Sequence, residues 1–245
     1  SCLKGSRMKS ILADMEARVW NRNRLQKMTD LFIAPSAFMH NKMLEGGFSR
    51  KKLTVVCNFI DPVKFDCIRR CGVEENPRDY FCYVGRLSDE KGTETMLGAA
   101  AEAGVSLKVA GDGPLLEEMR KKYADTPAIE FLGRLGREDV VRLLRSAKAS
   151  VLPSEWYENN PLGVIESLCC GTPVIGARIG GIPELLDETN GITFTSGNQE
   201  ELTSIFRNFD HRNSFPRRMI SDKAMDVFCR DTHYKLLMDA YSGKC

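Results

Sequence analysis

Six short apolar runs, at 81–84, 107–110, 129–132, 150–152, 174–176 and 191–194, restrict this chain more than any other feature of its sequence. Between them lie stretches of helical periodicity at 93–103, 115–123, 138–146 and 161–170, with a short one at 183–186. More helix is expected near 200–206 and 217–229. Runs that are apolar throughout, rather than at alternate positions, read as strands buried on both faces. Strands of that kind alternating with helices predict an α/β fold, a Rossmann-like parallel sheet with helices on both faces.

Such a sheet binds ligands beyond the carboxyl ends of its strands, and the unusual loops of this chain all fall there. Gly85-Arg86-Leu87 through Lys91-Gly92 follows the first run, Gly111-Asp112-Gly113-Pro114 the second and Gly133-Arg134-Leu135 the third. Pro153 through Asn160 follows the fourth, and Arg178 through Gly180-Gly181 the fifth. Five loops converging on one sheet edge describe a ligand site.

Upstream, residues 8–28 read as one amphipathic helix with an apolar stripe of Met8, Ile11, Met15 and Val19. A strand at 31–34, a helix from Pro35-Ser36 to about Leu44 and a strand at 53–57 come next, and Gly46-Gly47 suits a left-handed helix cap. The turn-rich stretch Asn58 to Pro62 reads as a hinge. The expected division is therefore residues 1–60, a main domain over 61–230, and a C-terminal helix over 231–245.

At 245 residues there is room for one large domain plus part of another. A net charge of +2 leaves no nucleic-acid footprint across the chain, although residues 1–30 carry seven Lys/Arg against three acids. The apolar runs are strand-sized and far too short to span a bilayer. The start at Ser1 shows neither a signal-peptide pattern nor an initiator Met, so the expectation is a natural N-terminus lying upstream. Nine cysteines without a repeated metal spacing are expected to be free thiols in a reducing cytosol.

Arg86 and Lys91, two cations on one glycine-bounded loop, suit a diphosphate: a planar fork and a compact point charge. The plain alternative is a pair of solvated surface cations. Asn160-Pro161 reads as a helix start, with an N-cap side chain and Pro at the first helical position. That would aim the amides of Leu162 and Gly163 at an anion. Glu158 lies just before this helix and Glu166 inside it, near Leu162, Ile165 and Leu168. A carboxylate accepts well from neighbouring sugar hydroxyls; the bland readings are a dipole-stabilising Glu158 and a solvent-facing Glu166. Gly111-x-Gly113 lacks the third glycine of a dinucleotide fingerprint, and Gly176 to Gly181 is followed by Ile182-Pro183 rather than the Lys-Ser/Thr of a phosphate loop. His40, His211 and His233 have no metal spacing and are given no role, His40 and His233 being expected on helix surfaces.

Taken in order, several motifs resemble glycosyltransferase group 1, the family-4 retaining glycosyltransferases of GT-B fold. They are Val84-Gly85-Arg86-Leu87-Ser88-Asp89-Glu90-Lys91-Gly92, Gly111-Asp112-Gly113-Pro114, Phe131-Leu132-Gly133, Glu158-x7-Glu166, Cys170-Gly171-Thr172-Pro173-Val174-Ile175 and Gly180-Gly181-Ile182-Pro183-Glu184. The resemblance covers roughly residues 30–195. It implies that Arg86 and Lys91 hold a donor diphosphate, that Glu166 accepts from ribose hydroxyls, and that Glu158 contacts the transferred sugar. Of the proposed catalytic set (Glu158, Arg86, Lys91), the cations would stabilise the departing diphosphate without a metal or other cofactor. Gly85, Arg134, Leu135, Asn160, Leu162 and Gly163 would complete donor binding, with Arg134-Leu135 lining the base. Asn160-Pro161-Leu162 stands where many relatives carry Phe-Gly plus an aliphatic residue, which leaves open how many amides touch phosphate.

The resemblance further implies a nucleotide-sugar partner, UDP-linked by family frequency, and a glycan or lipid-linked acceptor, as in polysaccharide biosynthesis. It implies a cytoplasmic protein, in reach of the inner face of the membrane. Residues 1–60 resemble only the last elements of the N-terminal, acceptor-side domain, so a chain that binds donor but transfers poorly is expected. The basic N-terminal helix reads either as a membrane-surface contact or as a face that packs on the rest of that domain. A non-catalytic binding module and a sugar-nucleotide epimerase are the competing functions; the second would need a histidine and acid/base carboxylates in the cleft.

Overall fold

The computed structural model describes residues 7–210 and 215–243. Two strands, β1 (Phe32–Ala34) and β2 (Leu53–Val55), form a small parallel pair of their own. Six more build the main sheet: β3 (Arg78–Val84), β4 (Leu107–Ala110), β5 (Ile129–Gly133), β6 (Ala147–Leu152), β7 (Val174–Ala177) and β8 (Gly191–Phe194). Their order is β5-β4-β3-β6-β7-β8, and every neighbouring pair runs parallel. The α/β architecture expected from the apolar runs is the one that forms. Strand order reverses between β3 and β6, and an open crevice is expected at that switch point.

The helices before the main sheet are α1 (Arg7–Val19), α2 (Arg22–Met28), α3 (Ala37–Glu45) and α4 (Pro62–Cys71). Those after its first strand are α5 (Thr93–Ala103), α6 (Leu116–Lys122), α7 (Arg137–Ser146), α8 (Leu162–Cys169), α9 (Gln199–Asn208), α10 (Arg217–Val227) and α11 (Arg230–Tyr241). The period of two along β3 divides them between the faces. Tyr80 and Cys82 turn toward Ile68, Val141, Ile165 and Ile220, on α4, α7, α8 and α10. Phe81 and Tyr83 turn toward Met96, Met119 and Phe206, on α5, α6 and α9.

Four local readings are corrected. Residues 8–28 are two helices, because Asn21 leaves the helix in an extended conformation and caps the second by accepting from the Arg24 amide. The expected helix at 183–186 is a series of turns. The cap of α8 is Pro161 rather than Asn160. Asn160 is instead buried and answers the hinge, its Oδ1 accepting from the Asn58 amide at 2.9 Å and its carbonyl from Asn58 Nδ2 at 2.9 Å. A buried amide satisfied from a distant segment is lost to helix capping. His233 on α11 also differs from expectation: its ring packs on Phe59 at 4.5 Å and its Nδ1 lies 2.8 Å from the Cys57 carbonyl. His211, Cys2 and Cys245 fall outside the described residues.

The small sheet is fastened to the main domain at the start of α3. Ser36 accepts from the Met39 amide, while the Glu184 carboxylate accepts from the amides of Ala37, at 2.8 Å, and Phe38. All three first-turn donors are thereby answered, and a carboxylate sits where the helix dipole favours it.

Arg217, at the start of α10, is 3% exposed and has no carboxylate partner among the described residues. Its guanidinium donates to the carbonyls of Ala147 (3.0 Å) and Arg145 (2.6 Å) and to Thr172 Oγ1 (3.1 Å), tying α10 to the entry of β6. Desolvation lowers its pKa from the usual arginine value. Arg217→Ala removes these donors and leaves a void, a loss of about 3 kcal/mol. In a chain of this size that is about 6–12 °C of melting temperature, to be read by thermal denaturation.

Candidate functional site

The loops after β3 and β6 flank the switch point and are locked together there. Residues Asp89–Lys91 form a single 3-10 turn ended by Gly92, which has φ +63°. A Cβ on Gly92 would lie 2.0 Å from the Pro153 carbonyl oxygen, so only glycine permits the approach. The Glu155 amide donates to the Glu90 carbonyl at 3.0 Å, closing the crossing. Lys91 Nζ thereby reaches Glu158 Oε1 at 2.5 Å, and Ser154 Oγ donates to the same oxygen at 2.9 Å. The residues assigned from sequence to the donor diphosphate and to the transferred sugar form one half-buried ion pair across the crevice.

A third loop backs Glu158. Gly180 has φ +60°, and a Cβ there would stand 2.3 Å from the Glu158 carbonyl oxygen. The Gly181 amide donates to that oxygen at 2.6 Å. The backbone of Glu158 is thus fixed by the loop that ends at Glu184, so the α3 attachment and the carboxylate share one support.

Past the carboxyl ends of β3, β4 and β5 lies a cleft of about 330 Å³ lined by Val84, Gly85, Arg86, Ala110, Gly111, Asp112, Arg134, Leu135 and Val140. Its floor is apolar and its rim carries Arg86 and Arg134, both exposed and neither in an ion pair among the described residues. Tyr83 sets the course of the chain here, its hydroxyl donating to the Arg86 carbonyl at 2.7 Å. Burial, reinforced by the negative charges of Glu158 and Glu90, raises the Tyr83 ionisation well above the ordinary phenol range, so it stays a donor. An apolar floor with two guanidiniums at the rim suits a heterocycle joined to phosphates.

The start of α8 completes the edge. Leu162 and Gly163 lie in its first turn, where amides lack intrahelical acceptors. Glu166 sits one turn further, its side chain only 15% exposed among the buried residues Val164, Ile165, Ser167 and Leu168. It pairs with Lys64 of α4, itself 16% exposed, a residue the sequence reading passed over. The signal for Lys64 was its place: a cation in the first turn of a helix, just after an Asp61 cap, opposes the helix dipole.

Arg86, Gly85, Arg134 and Leu135 line the cleft, Lys91 and Glu158 meet on the crossed loops, Leu162 and Gly163 open α8, and Glu166 pairs with Lys64 one turn further along α8. Asn160 alone turns away, toward the hinge. A separate apolar hollow of about 460 Å³, between Leu185, Leu186 and α10, shares no residue with the cleft.

The family described as Glycosyl transferases group 1 matches residues 67–224. The chain belongs to the group 1 glycosyltransferases. It is 32% identical over 181 residues to a glycogen synthase of Mycobacterium tuberculosis, covering 70% of this chain and 42% of that protein. It is 28% identical over 202 residues to a sulfoquinovosyl transferase of Arabidopsis thaliana, covering 76% of this chain and 39% of that protein. This group 1 chain thus spans about two fifths of the length of these relatives. Among solved structures, Anabaena HepE in complex with UDP superposes with a TM-score of 0.75 at 21% identity, over 90% of this chain and 65% of that one. The apo form of the lipopolysaccharide outer core galactosyltransferase WaaB superposes with a TM-score of 0.74 at 20% identity, over 88% and 62%. At those identities the likeness shows the GT-B fold.

The Gly92 crossing can be tested in this glycosyltransferase without any ligand. Gly92→Ala places a left-handed, clashing residue against Pro153 and should lower unfolding free energy by at least about 2 kcal/mol. Urea titration would measure it, and an unchanged midpoint would mean that the crossing is not fixed.

Proposed function

We propose that this chain is the donor-binding part of a retaining glycosyltransferase that moves a sugar from a nucleotide donor, UDP-linked in the first instance, to a glycan or lipid-linked acceptor. The observation that carries the reading is the meeting of Lys91 and Glu158 at the switch point, between an Arg86-rimmed cleft and the start of α8. The HepE complex with UDP supports a uridine nucleotide for that neighbour, and the same base is proposed here.

In this reading the base occupies the cleft over Leu135 and Ala110, and the ribose hydroxyls reach Glu166. The diphosphate then lies between Arg86, Lys91 and the amides of Leu162 and Gly163. Charge grows on the diphosphate as its bond to the anomeric carbon breaks. Two cations and a helix N-terminus held in place before reaction stabilise that charge without reorganising. Lys91 exchanges its contact with Glu158 for phosphate, which frees Glu158 Oε1 for a hydroxyl of the transferred sugar. Retention of configuration rests on family membership.

Because the chain spans two fifths of its relatives, the acceptor side is proposed to come from sequence beyond it, and the chain alone to transfer sugar poorly. A cytoplasmic location is proposed with it. Contact with the inner membrane face draws support from α1, whose Met8, Ile11, Leu12 and Met15 are exposed. No helix among the described residues is long and apolar enough to cross a membrane.

Calorimetric titration with UDP and GDP tests the donor site. Lys91→Ala and Glu166→Ala should each weaken binding about tenfold or more, the scale of one charge-assisted hydrogen bond. Unchanged affinity in both variants would refute the assignment. Transfer by the full-length protein should persist in EDTA, since the diphosphate charge is met by side chains and amides.

A further inference from the structure

Lys64 has no evident reason to be where it is on grounds of stability. It occupies the first turn of α4, after the cap Asp61 and Pro62, where a positive charge faces the positive end of the helix dipole. Its side chain is 16% exposed and its partner Glu166 is 15% exposed, on a segment a hundred residues away. A largely buried ion pair contributes little net stability compared with two apolar side chains of the same size. Its geometry is specific. Among the described residues Lys64 Nζ binds Glu166 Oε1 alone, and no donor reaches Oε2.

Resting on the donor assignment above, we propose that Lys64 is a positioning residue for the nucleotide ribose. It holds the Glu166 carboxylate fixed in rotation, with Oε2 and the remaining lone pair of Oε1 turned out to accept the two hydroxyls of a cis-diol. A carboxylate oxygen has two acceptor sites, so Oε1 serves the ammonium and one hydroxyl together. Without that partner the carboxylate is free to rotate away from the diol. The pair also lies just past the hinge. Asn58, whose amide and side chain bind Asn160, is six residues before Lys64, and Asn160 is six residues before Glu166. Both sides of the ribose contact are thus indexed to one hinge lock.

The test uses the intact chain and compares UDP and GDP with their 2′,3′-dideoxy analogues by calorimetry. Wild type should prefer the diol by about 10–100-fold, the scale of hydrogen bonds to a charged group. Lys64→Gln should bring that ratio close to one, and Lys64→Arg should restore most of it. The double variant Lys64→Met with Glu166→Met keeps the volume without the buried charge, so it should fold while showing no diol preference. A ratio lost in Glu166→Gln but kept in Lys64→Gln would overturn the role of Lys64 and leave the donor site standing. A ratio near one in wild type would overturn the ribose role of Glu166 itself, and that of Lys64 with it. A purely structural Lys64 would change melting temperature and both nucleotide affinities alike, and leave their ratio untouched.

Discussion

The crossing of the loops after β3 and β6 is the constraint on which the rest of the site depends. At a switch point the connections leave adjacent, paired strands toward opposite faces of the sheet, so the loops would ordinarily splay apart. Here Gly92 lets one backbone lie against the Pro153 carbonyl, and the Glu155 amide closes the gap onto Glu90. Everything with chemistry follows from that contact. It sets the reach of Lys91, delivers Glu158 to it, and puts the start of α8 beside both. A side chain at the crossing would separate the loops by the width of an atom and draw a cation and a carboxylate apart in a partly buried crevice.

The same crevice is braced from behind. The Gly181 amide holds the Glu158 carbonyl, and three residues later Glu184 binds the first amides of α3. One short loop therefore supports the proposed sugar-facing carboxylate and the attachment of the β1–β2 sheet. Asn160 does likewise for the hinge, with two hydrogen bonds to Asn58. Motion between the small sheet and the main domain would have to disturb groups within a few residues of Glu158. This gives a physical route by which domain closure, in a two-domain protein of this fold, would be felt at the donor site.

The cations divide by surroundings. Arg86 and Arg134 stand exposed at the rim of the cleft, in high dielectric, where a guanidinium can meet a phosphate without first losing another partner. Lys91 and Lys64 are each held by a glutamate. Arg217 is buried against neutral carbonyls and belongs to the frame. The buried thiols belong to the frame as well. Cys82 and Cys169 are each pushed up to about 12 by desolvation, so neither is a nucleophile at neutral pH.

The sequence by itself determined the sheet, its two covered faces and the edge where ligands gather, because apolar runs and glycine loops act over a few residues. It also marked Arg86, Lys91, Glu158 and Glu166, since their spacing in familiar motifs is linear information. Partners were decided by the tertiary structure. Nothing local says that Lys91 meets Glu158, that Lys64 meets Glu166, or that Glu184 caps a helix nearly 150 residues earlier. Asn160 is the clearest case: its position before a proline favours a helix cap, yet its side chain turns to Asn58. Capping propensity contributes about 1 kcal/mol, whereas a buried amide left without partners costs more, and only the folded chain shows which donor is within reach.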